Sequence, residues 1–213
     1  MIFNKKYFFI FLSFITTISA QTWQNYNISN SGLANNKINS IDASTDGTLW
    51  FGTDEGLSAY KNGVWVTYTK TEGLSDNHIN SAHFVPEESN KLYVGTDAGA
   101  TIVNTESTDF SSDPEYINKT ENGILSDKVK AIDVDNSSSS WIGTDKGLSV
   151  ITNSNIFNYN ESNGLENKNV NAVKVLHDNW VHVATNGGGV SRLKYNGIDG
   201  ITSASVILKT WSG

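Results

Sequence analysis

The chain has no cysteine, one arginine (Arg192) and two prolines in 213 residues. Without cysteine there is no disulfide framework and no thiolate metal site, so the fold must be held by its apolar core. A single arginine and a formal charge of −7 argue against binding to phosphate backbones or anionic lipid, which depends on clustered Lys and Arg. Beyond the first twenty residues no apolar run reaches the roughly 20 residues that a helical membrane span needs. Apolar residues at helical spacing are also absent, which removes the helical solenoids.

The first twenty residues are different in kind. Asn4, Lys5 and Lys6 open the chain, residues 7–15 are almost unbroken apolar, and Thr16-Thr17-Ile18-Ser19-Ala20 turns small and polar. That order predicts a secretory signal peptide over 1–20, cleaved after Ala20, and an exported protein, periplasmic or at the cell surface. Lys5 and Lys6 leave with the signal, which contains no acidic residue, so the charge of −7 becomes −9.

What the remainder has in abundance is self-similarity. Four segments align on Thr53, Thr96, Thr144 and Thr185, at spacings of 43, 48 and 41 residues. Each has a glycine-leucine or leucine-serine entry, then an aliphatic pair: Ile38 and Ile41, Ile79 and Ala82, Val129 and Ile132, Val170 and Val173. A strand with a central small residue follows, as in Trp50-Phe51-Gly52-Thr53 and Trp141-Ile142-Gly143-Thr144, then a tight Asp-x-Gly turn in the first three, where the more worn fourth has Asn186 and a glycine run. The long middle interval holds an insertion over 105–114 that is rich in Ser, Thr and Asp. Periods near 40 with strand-type composition predict β-propeller blades. The expected fold is therefore all-β: about four four-stranded blades, over roughly 32–70, 73–119, 123–160 and 164–211. Trp50, Tyr93 and Trp141 recur at one position and are expected to fill the space between blades. Gly52, Gly95 and Gly143 mark a close approach of a neighbouring strand.

Outer-type strands are read at 22–26, 64–70, 115–119, 156–160 and 206–211. Five of these against four sets of the other strands predict an incomplete part of a larger ring, with further blades or domains beyond Gly213.

The entry followed by Trp-Ile-Gly-Thr-Asp-x-Gly-Leu-Ser resembles the two-component regulator propeller repeat, over about residues 23–195. Repeats of that family resemble the sensor regions of bacterial hybrid receptors, often ones that detect carbohydrate breakdown products; others occur in exported surface proteins. The resemblance implies a ligand-sensing or partner-binding module of a two-component-type receptor, with an oligosaccharide or a protein as ligand. The alternative is a stand-alone secreted scaffold or adhesion propeller without a signalling role.

In a four-stranded blade the loop entering the first strand and the loop joining the second and third emerge at one end. That end should collect Asn35, Asp76, Asp127 and Asn167 with Asp54, Asp97, Asp145 and Asn186. Asp54, Asp76, Asp97, Asp127, Asp145 and Asn186 are the candidate ligand-binding residues, since carboxylates and amides hydrogen-bond sugar hydroxyls or hold a cation. The competing reading is that each accepts N–H bonds inside its own turn.

No catalytic set, metal site or cofactor is expected. His78, His83, His177 and His182 fall in pairs five apart, and that spacing on a strand places the two rings on opposite faces. Asp133-Val134-Asp135-Asn136 lacks the glycine and closing glutamate of a calcium loop and reads as a turn. The run Gly187-Gly188-Gly189 has no lysine or helix after it to make a phosphate loop.

Overall fold

The computed structural model describes residues 22–195, except 89, 107–109, 154, 177 and 178. These form antiparallel sheets with the strands of each in chain order. The first blade is β1 (Ile38–Ala43), β2 (Leu49–Thr53), β3 (Gly56–Lys61) and β4 (Val64–Tyr68). The second is β5 (Ile79–Val85), β6 (Lys91–Thr96), β7 (Gly99–Asn104) and β8 (Glu115–Ile117). The third is β9 (Val129–Val134), β10 (Ser140–Thr144), β11 (Gly147–Ile151) and β12 (Ile156–Tyr159). The fourth has three strands among the described residues, β13 (Val170–Val175), β14 (Trp180–Thr185) and β15 (Gly189–Lys194). One turn of α-helix, α1 (Lys119–Asn122), and short 3-10 turns at Lys70–Glu72 and Pro86–Glu88 are the departures from β structure.

The first strands are innermost: β1 packs beside β5, β5 beside β9 and β9 beside β13. No comparable packing joins β13 back to β1, so the described blades form an open arc. The expected outer strand at 22–26 is not formed; instead Tyr26 lays its ring on Tyr60 and Trp65 of blade 1, with centroids 5.6 and 5.4 Å away. The one expected at 206–211 lies outside the described residues.

The repeated threonines close the hairpin between second and third strands. Thr53, Thr96 and Thr144 each donate Oγ–H to the carbonyl of the glycine three residues on, at 2.7, 2.8 and 2.9 Å. The same oxygens accept the backbone N–H of Glu55, Ala98 and Lys146. That glycine is obligatory at Gly147, where φ is +140° and an added Cβ would lie 2.2 Å from the Tyr159 carbonyl.

Blades meet through apolar wedges. Trp50, Tyr93 and Trp141 are 3%, 3% and 0% exposed, and each polar tip is satisfied by the turn after the first strand. The Trp50 indole donates to Ser44 Oγ at 2.6 Å, the Trp141 indole to Asp135 Oδ2 at 3.0 Å, and the Tyr93 hydroxyl to Glu88. In blades 1 to 3 the glycine of the second strand admits the first strand of the next blade. A Cβ at Gly52 would stand 2.7 Å from Ile79, at Gly95 2.8 Å from Val129, and at Gly143 2.5 Å from Val170.

Candidate functional site

The loop end of the arc carries the acidic side chains anticipated above, and a recurrent β-bulge organises it. Pairing of each first strand with its second slips one residue after Ile38, Ile79 and Val170, and beside Val129 in blade 3. A bulged residue stands outside the ladder and is free to reach elsewhere. Asn39 Nδ2 donates both to Asp54 Oδ1 in its own blade (2.8 Å) and to the Ile79 carbonyl of the next (2.9 Å). Asn80 repeats this toward Asp97 (2.8 Å) and the Val129 carbonyl (2.9 Å). In blade 3 the position is Lys130, whose ammonium crosses to Asn169 Oδ1 at 2.7 Å and to Asn171 Oδ1 of blade 4. Burial and then the neighbouring Lys128 hold the Lys130 pKa below the ordinary lysine range.

The candidate residues divide into two groups. Asp54 and Asp97 are held by cross-links rather than by their own turns. Lys37 reaches Asp54 at 3.0 Å, and Lys128 of blade 3 reaches Asp97 of blade 2 at 3.0 Å. Hydrogen bonds from Asn39 and Lys37 keep the Asp54 carboxyl below its usual range. At Asp97 burial pulls upward, but Asn80 and Lys128 outweigh it and the net direction is down. Asp145, at the same repeat position, has a buried Oδ1 with no hydrogen-bond partner. Asn186 is exposed, and its backbone N–H donates to the Asn169 carbonyl at 2.8 Å.

The entry-loop residues follow the turn pattern. Asn35, Asp76 and Asn167 each accept the N–H two residues ahead, at 2.8, 3.1 and 2.8 Å. Asp127 departs from the expected alignment with Asp76. Gly73 and Gly123 are equivalent left-handed caps, which matches Asp127 to Asn77 instead. Both accept a backbone N–H from the preceding short helix, Asn77 from Lys70 at 2.8 Å and Asp127 from Lys119 at 2.6 Å. The carbonyl of Asp127 also takes the Gly99 N–H of blade 2 at 2.6 Å. So the six residues share one end of the arc without converging on a point. Among the described residues no three His, Asp or Glu side chains are grouped to hold a metal. Lysine offsets this acidic end where arginine does not: Lys37, Lys128 and Lys130 all reach into it.

A second constellation lies toward the opposite end of the innermost strands, and sequence reading missed it. Asp42, His83, Asp133 and Lys174 each follow the second aliphatic residue of the first strand, one per blade. The His83 ring lies between two carboxylates, Nδ1 3.5 Å from Asp42 and Nε2 3.0 Å from Asp133. Lys174 approaches the other oxygen of Asp133 at 3.0 Å. Asp42 Oδ2 also accepts the Phe84 N–H at 2.8 Å, and Asp133 Oδ2 the Val175 N–H at 2.6 Å. The result is an alternating ladder of acid, base, acid and base across four blades. Burial alone would lower the His83 pKa; hydrogen bonds to Asp133 and Asp42 overcome it and lift the value to about 9. Asp133 is held low against its own burial by His83, the Val175 N–H and Lys174. An imidazolium with both nitrogens committed to carboxylates is a clamp, not a general base. Asp135, the other carboxylate of the expected turn, accepts the N–H of Ser137 and Ser139 as well as the Trp141 indole. A cavity of about 460 Å³ opens beside the ladder, lined in part by His83, Glu88, Asp133 and Tyr195.

The two component regulator propeller family model matches residues 32–55. The structure is similar to the extracellular domain of a putative hybrid two component system from B. thetaiotaomicron. That likeness has a TM-score of 0.70 and 20% identity, over 89% of this chain and 26% of the other. PorZ, a surface component of the type-IX secretion system of Porphyromonas gingivalis, matches with a TM-score of 0.55 and 18% identity, over 83% of this chain and 28% of its own. An ancestral GH74 enzyme matches with a TM-score of 0.54 and 20% identity, over 82% of this chain and 24% of its own. The chain thus spans about a quarter of the length of each. At such identities the likenesses show the propeller fold. Comparison with curated proteins gives no match.

Proposed function

From a chain that carries the two-component regulator propeller repeat, we propose an exported, non-catalytic recognition module of a two-component-type receptor, binding its ligand at the loop end. One observation carries this reading. Loops of successive blades are stitched together there by side chains that also present polar atoms: Asn39 and Asn80 onto the next blade's carbonyls, and Lys128 onto Asp97 of the blade before. Polar groups fixed in this way on a sheet scaffold lose little entropy when a ligand arrives. The likeness to an extracellular domain of a two component system supports export and sensing.

Paired carboxylates, amides and ammonium groups side by side suit a neutral, polyhydroxylated ligand such as an oligosaccharide. Such a ligand offers donors and acceptors in alternation and asks for no net charge. Calorimetry with neutral and charged glycans on the protein from its native host is the test. Replacing Asp97 and Asp145 with alanine should weaken the bound glycan by about tenfold or more, the scale of a lost charged hydrogen bond. Unchanged affinity with the fold intact assigns the site elsewhere.

A second reading, an exported scaffold propeller without a signalling role, is favoured by the likeness to PorZ. It expects no glycan binding at this end and a protein partner instead.

A further inference from the structure

The arc presents two flanks of opposite character, and their chemistry is complementary. The flank of blade 1 that faces away from blade 2 carries Ile38 and Ile41, 41% and 64% exposed. At the equivalent positions Ile79 and Ala82 are 0% and 9% exposed, Val129 and Ile132 0% and 6%, and Val170 and Val173 0% and 8%. The same flank continues into Phe51, Tyr60 and Trp65, the last two touched by Tyr26; the positions equivalent to Phe51 and Tyr60 hold Val94 and Val103 in blade 2 and Ile142 and Ile151 in blade 3. Its ladder residue is an acid, Asp42, with its one base on the blade 2 side. Asp133, by contrast, has a base on each side. At the far flank the ladder ends on a base, Lys174, whose side chain is 64% exposed. Arg192 lies over the Trp180 ring at 3.5 Å on that flank, with Lys194 at 5.3 Å.

We infer that blade 1 of one copy is covered by blade 4 of a second copy, head to tail, with Lys174 of one meeting Asp42 of the other. The joint continues the alternation of acid and base without a break, and it buries Ile38 and Ile41 as their counterparts are buried within the chain. Charge complementarity at such a joint fixes register, and the apolar flank supplies the driving force. A heterologous contact of this kind closes a ring or propagates, depending on the rotation it imposes. The joint is looser than the internal ones. Ala184 stands where Gly52, Gly95 and Gly143 stand, and a Cβ at those glycines would fall within 2.8 Å of the incoming aliphatic side chain.

Sedimentation equilibrium of the purified protein over a wide concentration range is the experiment. The weight-average mass should rise with concentration. Ile41→Glu, a change at an exposed position that leaves the monomer fold alone, should weaken association about tenfold or more, and Ala184→Gly should strengthen it. Asp42→Lys and Lys174→Asp should each abolish self-association, while an equimolar mixture of the two, both confirmed folded by circular dichroism, should associate again. A monomer at every concentration overturns the inference. So does association that Ile41→Glu leaves unchanged, or a mixture of folded charge variants that stays monomeric.

Discussion

Blade 1 and blade 2 place the same kinds of residue at the same repeat positions, yet only one of them hides its first strand. Ile79 is fully buried because blade 1 lies against it; Ile41 is 64% exposed because among the described residues no blade covers that side. Burial in this fold is thus a property of the neighbour rather than of the strand, as expected where each repeat contacts only the next. The ladder repeats the lesson in charge. Asp133 has bases on both sides and a side chain only 4% exposed, while Asp42 has a base on one side and is 32% exposed.

The largest effect should come from breaking the ladder at its covered rung. Asp133→Ala leaves Lys174 and the Val175 N–H without their acceptor, takes one of two carboxylates from His83, and should cost about 4 kcal/mol, as removal of one partner from a buried ion pair does. Asp42→Ala should cost about 1 kcal/mol, the scale of one hydrogen bond at a partly open site. Urea unfolding midpoints measure both, and equal losses would mean that Asp42 is covered as well.

Next comes the apolar column. Ile79→Ala should cost about 3 kcal/mol through lost transfer energy and the cavity left behind. Ile41→Ala should cost less than about 0.5 kcal/mol in dilute solution, where the flank is open. A large loss at Ile41 under those conditions would put the two flanks on the same footing.

The ladder also sets a pH dependence. His83 is raised from 6.5 to about 9 in the folded chain, so its contribution is complete below pH 6.5 and fades as pH climbs toward 9. About 3 kcal/mol should disappear across that window, and His83→Gln should flatten the slope. A wild-type slope equal to that of His83→Gln would mean that the ring is not held charged between the two aspartates.

Much of this architecture was readable from the chain. The threonine and glycine columns carry the period because each is tied to backbone geometry, a hairpin clasp or a close approach, that every blade must repeat. The aromatic column was legible for the same reason, since each wedge must be filled. The ladder escaped because its column reads Asp, His, Asp, Lys: four different demands set by neighbours, with no similarity to align. Its one signal was the alternation of sign directly after the aliphatic column. Asp127 was displaced because Leu-Ser-Asp recurs one residue late in blade 3, whereas the structure counts from the capping glycine. The stretch at 22–26 has strand composition, yet its tyrosine finds an aromatic bed on blade 1 and its backbone joins no sheet, the Asn25 carbonyl accepting from the Asn30 side chain instead. Asp54 and Asp97 belong to one end as expected, but a bulge decided what they bind, and an extra residue in one strand of a pair has no signature in composition.

Phe110, from the insertion that lengthens the second interval, stacks on Tyr68 at 4.0 Å and packs beside Trp50 at 6.1 Å, so a segment of blade 2 is seated in the outer wedge of blade 1. A chain of similar blades opens piecemeal when its joints are equal in strength, each opening at its own local free energy. One reinforced joint changes that order. The first two blades should exchange their amide hydrogens together, as a single slow unit, while blade 4 opens ahead of them. The stretch that looked like a tolerated interruption of the repeat would then decide which part of the arc folds as one piece.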